Sequence, residues 1–536
     1  MNKLLFTLTL FSINAVYSQQ FTRKDSLHGG LRHERVSYDV LRYELNITVE
    51  PDKKYIHGYN DITFRVTDKT NRIQLDLFEN MHADSIVVDG KKQDYAREFN
   101  AVFLKFDKPL TKNEIKSLRF YYSGNPIEAK NAPWDGGFVW KKDAANNHWI
   151  GVATQGTGAS LWYPVKDSQT DEPDNGARIN VSVPNGLMNV SNGRFIESID
   201  HHNGYTSWIW EVNNPINSYN ITVNIGDYAH IHDNHNGLDL DYYVLRGNEQ
   251  KAIDHFAEVK PMMDCFQSKF GAYPFPDDSY KLVETPYLGM EHQSAVAYGN
   301  KYNKGYLGTD RSGTGIGLLF DFITIHESAH EWFGNSITAS DVADMWIHEA
   351  FTTYAETVFV ECVYGYEKAM HYVNGQARNI LNDKPIIGNY GVQNEGSSDM
   401  YNKGSLMLNT IRHIINNDDK WWKLLLDFST TYRHKIIDGP TVVGFFNEKS
   451  GIKLTPVFDQ YLRTTTIPVL RTNMQNKRFT YRWENTIEGF DMPVDMILNG
   501  DKMRLFPTNE FQTLDLGSSK STDIQILKDH FFIELN

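Results

Sequence analysis

The sequence predicts an α+β multidomain protein with a large amino-terminal β-domain, a mainly helical middle domain and a small carboxyl-terminal β-sandwich. Its 536 residues correspond to about three to four domains of ordinary size. Apolar and polar residues alternate through the first 240 residues, which is typical of strands with one face on a core. Helical spacing replaces this alternation in the middle of the chain, and alternation returns after residue 465.

The amino-terminal segment has the features of an export signal. Lys3 is followed by a largely apolar run of 13 residues, Leu4 to Val16. Such a run is too short to cross a bilayer, but it has the length of the apolar region of a signal peptide. Ser18 provides an acceptable cleavage site. We therefore expect residues 1–18 to be a signal peptide and the remaining chain to be exported, either periplasmic or secreted.

Residues 19–240 are predicted to form the amino-terminal β-domain. Segments in which apolar and polar residues alternate lie at 43–49, 62–66 and 73–77. The dipeptides Asp89-Gly90 and Asn185-Gly186 favour tight turns between such strands. Because helical periodicity is almost absent in this region, we expect one large β-domain.

Residues 241–465 are predicted to form the mainly helical domain. Apolar residues recur at helical spacing from Lys251 to Phe270, and the Tyr-Pro-Phe-Pro segment at 273–276 ends that helix. Further helical patterns lie at about 317–334, 341–363, 403–416 and 419–433. Thr455-Pro456 has the residue types that begin a helix.

Residues 466–536 are predicted to form the small β-sandwich. Phe479, Tyr481 and Trp483 alternate with polar residues, as expected for a strand with one buried face. A second alternating run ends at the turn dipeptide Asn499-Gly500.

The composition argues against two kinds of partner. The formal net charge of -14, from 53 basic and 67 acidic residues, argues against nucleic acid, because phosphate backbones bind clustered Lys and Arg. No run of 18 or more apolar residues occurs, so we expect no permanent membrane anchor. The two cysteines, Cys265 and Cys362, fall in segments predicted to be helical, and we expect them to be buried free thiols.

The segment His326-Glu327-Ser328-Ala329-His330 carries the chemistry. Four residues advance a helix by slightly more than one turn, so both imidazoles project from the same face and can share a zinc ion. Glu327 lies beside them, where it can accept a proton from the attacking water. Taken alone, the motif also fits a surface helix with two unrelated histidines.

The third zinc ligand distinguishes these two interpretations. Glu349 lies 19 residues beyond His330, among apolar residues of a following helix, where an unpaired carboxylate would be costly to bury. Two histidines and one carboxylate leave a fourth coordination position open, which is the arrangement of a catalytic zinc site. We therefore predict that His326, His330 and Glu349 bind one zinc ion per chain.

Two segments around these residues, 326–338 (HESAHEWFGNSIT) and 346–356 (WIHEAFTTYAE), closely resemble the gluzincin zinc aminopeptidases of the aminopeptidase N type, which are related to leukotriene hydrolase. The resemblance covers about residues 35–465. It implies a thermolysin-like catalytic domain. Because only about 70 residues follow, the large helical carboxyl-terminal domain of longer members is not expected, and the substrate chamber should be more open.

The resemblance also implies residues that bind substrate. The loop Gly289-Met290-Glu291 resembles the family's Gly-x-Met-Glu-Asn segment, whose Glu binds the free α-amine, although His292 stands at the Asn position and the Gly lies one place closer to Met. Tyr401 begins a Tyr-x-Lys-Gly match, which implies a hydroxyl that binds the oxyanion. Gln155 matches a β-domain glutamine that reaches the catalytic site.

The predicted function is zinc-dependent removal of amino-terminal residues from peptides that have a free amino terminus. Glu327 and Tyr401 are the predicted catalytic residues. The alternatives are a zinc endopeptidase or an epoxide hydrolase on the same scaffold, and an inactive, zinc-stabilised peptide-binding protein. An intact base and an intact oxyanion donor disfavour the inactive protein. The sequence leaves the oligomeric state open.

Overall fold

The computed structural model describes residues 20–516 and 523–536, and the signal peptide predicted at 1–18 lies outside this range. The α+β organisation is confirmed. A large β-rich region comes first, a mainly helical region follows, and two small sheets complete the chain. Among the described residues, no helix has both the length and the hydropathy that crossing a membrane would need.

From residue 20 onward, the described part of the amino-terminal region contains two short helices, α1 (Arg23–Gly29) and α2 (His33–Val36), and fifteen strands. The strands are β1 Tyr38–Glu50, β2 Tyr55–Val66, β3 Thr70–Asp76, β4 Met81–Val88, β5 Lys91–Gln93, β6 Tyr95–Glu98, β7 Ala101–Leu110, β8 Ile115–Gly124, β9 Gly137–Lys142, β10 His148–Ala153, β11 Ala177–Pro184, β12 Met188–Val190, β13 Arg194–Asp200, β14 Tyr205–Val212 and β15 Asn224–Gly226. The largest sheet has eight strands in the order β13-β14-β11-β1-β2-β8-β4-β5, and β12-β15-β10-β9 and β3-β7-β6 form two smaller sheets.

The predicted alternation explains how β1 packs. Tyr43, Leu45, Ile47 and Val49 are buried, and the residues between them are partly exposed. One face of the strand therefore packs on the core of this region, and its edges pair with β11 in parallel and with β2 in antiparallel orientation.

A five-stranded sheet links the β-rich and helical regions. Its strands are β16 Tyr228–His235, β17 Leu238–Leu245, β18 Tyr280–Glu284, β19 Gly289–Met290 and β20 Val296–Tyr298. The order is β16-β17-β18-β20-β19, so β19 lies at one edge. A separate parallel pair joins β21 (Ile337–Ala339) to β22 (Lys435–Ile437).

Among the described residues, the helical region contains nine α-helices. They are α3 Glu249–His255, α4 Val259–Phe270, α5 Phe322–Ala329, α6 Trp346–Tyr364, α7 Tyr366–Gly375, α8 Asn402–Ile415, α9 Asp418–Thr431, α10 Gly439–Ser450 and α11 Thr455–Arg463. Helix α6 is the centre of this region, because its first fifteen residues are all buried.

Two helices are shorter than the sequence pattern predicted. The helix expected at 317–334 is α5, which begins after Asp321 because that side chain accepts a hydrogen bond from the Thr324 backbone N–H. It ends before Gly334, whose φ of 130° is incompatible with a helix. The helix expected from 341 begins at Trp346, since Asp341 caps a short 3₁₀ turn instead.

The prediction of buried free thiols was wrong. Cys265 on α4 and Cys362 on α6 form a disulfide, with their Cα atoms 6.0 Å apart. Cys265 is buried, whereas Cys362 is exposed at the carboxyl-terminal end of its helix. Their separation of 97 residues carried no information about this pairing, which depends on α4 packing against α6.

The carboxyl-terminal region consists of two facing sheets. The strands are β23 Val469–Gln475, β24 Arg478–Glu484, β25 Val494–Leu498, β26 Asp501–Leu505, β27 Gln512–Asp515, β28 Ile524–Ile526 and β29 Glu534–Leu535. The sheet orders are β27-β24-β23-β29 and β26-β25-β28, and Phe479, Met496 and Leu505 pack together as a small core between them. The guanidinium of Arg504 donates to the backbone oxygens of His413 and Ile414, which joins this region to α8.

Candidate active site

The predicted metal ligands meet between α5 and α6. His326 and His330 lie one turn apart at the end of α5, and Glu349 lies in the first turn of α6. Glu349 Oε2 is 3.6 Å from His326 Nε2 and 3.4 Å from His330 Nε2. All three side chains are buried, and their ligand atoms lie within 4.8 Å of one another.

This geometry fits a zinc ion. Two ligands about 2.1 Å from a tetrahedral zinc ion lie about 3.4 Å apart, close to the observed distances. Glu349 Oε2 is buried and has no hydrogen-bond donor among the described residues, as expected of an oxygen that ligates a metal. Although burial alone would raise it, the two imidazoles hold the pKa of the Glu349 carboxyl well below its usual value. The ligand carboxylate is therefore ionised.

Hydrogen bonds at the opposite ring nitrogens orient both imidazoles. His326 Nδ1 lies 2.6 Å from Glu356 Oε1, and His330 Nδ1 lies 2.9 Å from the backbone oxygen of Phe333. Glu356 also accepts a hydrogen bond from the Tyr372 hydroxyl. These contacts leave each Nε2 free for the metal. Sequence reasoning missed Glu356, although its position two turns after Glu349 on α6 places both carboxylates on one face.

Glu327 lies beside the metal ligands without joining them. Its carboxylate lies within 4.8 Å of ligand atoms of His330 and Glu291. Burial, together with nearby carboxylates, raises the pKa of Glu327 to about 7. A carboxylate with such a pKa can both accept and return a proton near neutral pH. A Cβ atom at Gly289 would approach Glu327 Oε1 to 2.8 Å, so any larger residue there would displace the Glu327 carboxylate.

Glu291 follows the edge strand β19 and is 1% exposed. Its Oε1 accepts a hydrogen bond of 3.2 Å from the Tyr219 hydroxyl, and its backbone oxygen accepts one from Asn335. Gly289 and Glu291 line the same cavity as the metal ligands. Met290 points elsewhere, into a small apolar cluster with Tyr287, so the structure does not place its side chain at the site.

Tyr401 and Gln155 both bind the second oxygen of Glu349. The Tyr401 hydroxyl donates to Oε1 over 2.8 Å, and Gln155 Nε2 donates to it over 3.0 Å. The Tyr401 ring also stacks on His326, with the ring centroids 5.9 Å apart. Tyr401 precedes α8, whereas Gln155 comes from the loop after β10. The cavity is therefore built by both the helical and the β-rich regions.

His292 lies outside the cavity. It is buried, and its ring nitrogens contact the backbone oxygens of Asn220 and Val152. Burial lowers the pKa of His292 to about 4, so the ring is neutral. His292 therefore supports the loop that carries Glu291 rather than contacting a ligand.

The cavity has a volume of about 370 Å³, which suits a small peptide. Sequence reasoning did not single out two charged residues at or near this cavity, Glu395 and Arg311. Glu395 lies beside Gly156, next to Gln155, and burial with the charges of Glu349 and Glu291 raises its pKa to about 7. Arg311 lines the other part of the cavity. Neither belongs to a spacing pattern, because each comes from an irregular loop.

Comparisons with known proteins agree with this geometry. Residues 255–461 match the family model described as the Peptidase family M1 domain. The chain is 19% identical to "Probable aminopeptidase 1" of Sulfurisphaera tokodaii over 90% of this chain and 61% of that protein. It is 22% identical to "Aminopeptidase N" of Lactobacillus helveticus, over 89% of this chain and 57% of that protein. The chain thus spans about 60% of the length of these curated relatives.

The fold is similar to solved structures of an M1 zinc metallopeptidase from Deinococcus radiodurans. The TM-score is 0.66 at 20% identity, and the alignment covers 82% of this chain and 96% of that chain. One of these structures is a Glu→Ala variant bound to a Tyr-Ser-Ala substrate. A further similar structure is of a two-domain M1 zinc metallopeptidase variant bound to L-arginine. At this level of identity the similarity establishes the fold.

Proposed function

We propose, from the premise that the helical region of this chain is a peptidase family M1 domain, that the protein is a zinc-dependent aminopeptidase. Its substrates are peptides with a free amino terminus, and it removes the first residue by hydrolysis. The aminopeptidase names of the relatives support this activity, and so does the complete set of ligands, base and oxyanion donor in one cavity.

His326, His330 and Glu349 would hold the zinc ion, which supplies a Lewis acid to the reaction when bound. Glu327 accepts a proton from the attacking water and then delivers it to the leaving amine. The Tyr401 hydroxyl donates a hydrogen bond to the oxyanion that develops on the scissile carbonyl. Glu349 holds this hydroxyl in place before substrate arrives.

The short distance between the amine-binding carboxylate and the base carries the proposal. Carboxylate oxygens of Glu291 and Glu327 and a ring nitrogen of His330 lie within 4.8 Å of one another. Within one residue, the amine nitrogen lies only about 2.5 Å from the carbonyl carbon. An ammonium group held by Glu291 therefore places the first peptide bond, and no later one, beside Glu327.

We also propose that the protein is exported, to the periplasm or beyond the cell. The apolar segment after Lys3 supports a signal peptide, and the Cys265–Cys362 disulfide suits an oxidising compartment. Cell fractionation and amino-terminal sequencing of the mature protein test this. A mature chain that retains Met1 in the cytoplasm would contradict it.

A panel of aminoacyl-coumarin substrates, assayed with and without phenanthroline, tests the activity. We expect release of coumarin, loss of activity with the chelator and recovery with zinc. Mass analysis of peptide products should show loss of single amino-terminal residues. Internal cleavage would favour the endopeptidase alternative. Full activity in a metal-free preparation, shown by elemental analysis, would refute the zinc mechanism.

A further inference from the structure

Arg311 is the single Lys or Arg among the described residues that line the catalytic cavity. Its guanidinium lies over the Tyr306 ring, with Cζ 4.9 Å from the ring centroid, and 5.9 Å from the centroid of Phe322. No hydrogen bond or ion pair of this guanidinium occurs within the described range, although Glu291, Glu327, Glu349 and Glu356 line the same cavity. A guanidinium that lies over an aromatic ring keeps its N–H groups available for an anion in the plane of the guanidinium.

Packed aromatic rings connect Arg311 to the predicted metal ligand His326. Phe322 stacks on His326 with the ring centroids 5.2 Å apart, so the guanidinium carbon is at most about 11 Å from the His326 ring. The Tyr306 ring also packs against Phe322, with the ring centroids 5.5 Å apart, and Tyr306 lines the cavity together with Arg311 and Glu327. Glu327 delivers the proton to the leaving amine, so the residues after the scissile bond lie beside it.

A peptide in this cavity has a positive charge at one end and a negative charge at the other. Glu291 matches the ammonium group, but the remaining carboxylates of the cavity repel the carboxyl terminus. An extended chain advances about 3.3–3.6 Å per residue. In an Arg–carboxylate ion pair the two carbon atoms lie about 4 Å apart. A carboxylate one or two residues beyond the scissile bond can therefore reach Arg311, whereas that of a longer peptide extends past it.

We propose that Arg311 binds the carboxyl terminus of short substrates and makes the enzyme selective for dipeptides and tripeptides. The inference rests on the proposed aminopeptidase function and adds a substrate class to it. Arg311 and Glu291 then recognise the two ends of one small zwitterion, and the distance between them selects its length. Because the Arg311 side chain is exposed when no peptide is bound, we expect a charge-assisted hydrogen bond at the low end of the usual range, about tenfold in kcat/KM.

The test compares Ala-Ala-Ala with Ala-Ala-Ala-NH2 and the hexa-alanine acid with its amide, by measuring kcat/KM for release of the first alanine. Wild type should prefer the tripeptide acid to its amide by about tenfold and show a ratio near one for the hexapeptides. Arg311→Gln should lower the tripeptide ratio to about one. The matched control is Arg378→Gln. Arg378 is also an exposed arginine, and its guanidinium contacts Gly313 in the loop that carries Arg311, but Arg378 does not line the cavity. It should keep the wild-type ratio.

The ratio is measured within each variant, so a loss of folded protein does not imitate the result. Equal ratios in wild type and Arg311→Gln would overturn the inference while leaving the aminopeptidase function intact. An undiminished preference for the hexapeptide acid would also overturn it. Ala-Ala-Asp-NH2 carries its one carboxylate on a side chain, and a gain equal to that of the tripeptide acid would show recognition of acidic side chains instead. Failure to release alanine from any peptide would overturn both proposals.

Discussion

Replacing Glu291 by Ala should remove the preference for a free amino terminus. In the proposed mechanism, the buried carboxylate forms a charge-assisted hydrogen bond to the substrate ammonium group, and such a bond contributes about 1.5–3 kcal/mol. This range corresponds to roughly 10- to 150-fold in kcat/KM. Because Glu291 is 1% exposed, solvent screens the pair weakly, and we expect a loss in the upper half of this range.

The assay is a two-by-two comparison of wild type and Glu291→Ala on a free peptide and its Nα-acetyl derivative, with products identified by mass. The acetyl peptide has no charge and adds bulk at the anchor, so wild type should cleave it at least as poorly as Glu291→Ala cleaves the free peptide. Acetylation should matter less for Glu291→Ala, because half of the pair is already absent.

Two controls separate charge from structure. Tyr219→Phe removes the hydroxyl that donates to Glu291 but keeps the carboxylate, so we expect a change of only a few-fold. Zinc content should stay at one ion per chain in Glu291→Ala. If wild type cleaves the acetyl peptide as fast as the free peptide, or cleaves both internally, the amine anchor is wrong. Loss of zinc from Glu291→Ala would instead show that Glu291 is a metal ligand.

Three further predictions concern Tyr401 and Glu356 in the site and His292 outside the cavity. Tyr401→Phe should lower kcat by about 10²–10³ with little change in KM, because the hydroxyl stabilises only the developing oxyanion; a near-normal kcat would remove Tyr401 from the mechanism. Glu356→Gln should weaken zinc binding by about 10- to 100-fold in a chelator competition, because it no longer offers His326 an anionic acceptor; unchanged affinity would contradict this role. His292 is buried and neutral with its pKa lowered to about 4, so below pH 6.5 the unfolded chain binds a proton that the folded chain does not, and stability falls as the pH falls towards 4. The measurement is the free energy of unfolding in urea at pH 7 and at pH 4. His292→Asn should reduce the loss of stability between these two pH values by up to about 3 kcal/mol, and an equal loss in both proteins would refute the assignment.

Local patterns predicted the fold class and the metal-binding group because each depends on residues close in sequence. Alternation defines the buried face of β1, and helical spacing places His326 and His330 on one face of α5. Helix ends were less predictable, since a capping side chain at Asp321 and a positive φ at Gly334 shorten α5 on both sides.

The remaining parts of the site depend on contacts between distant segments. The residues that hold Glu291 and Glu349 include Tyr219 and Gln155, and no spacing rule connects them with a helix that begins at residue 322. The disulfide was missed for the same reason, because it reports that α4 packs against α6. The resemblance to a known family supplied Gln155, which residue patterns alone could not.

The cavity is built by residues from both the β-rich and the helical region, which limits the chimeras in which this site can stay complete. The matched family domain covers residues 255–461 and contains all three metal ligands, yet Gln155 and Tyr219 reach the site from the β-rich region. A chimera that keeps the helical region and replaces the β-rich region would inherit the metal centre without these two supports. We therefore expect such a chimera to bind zinc, whereas the proposed recognition of a peptide amino terminus would require both the helical and the β-rich regions.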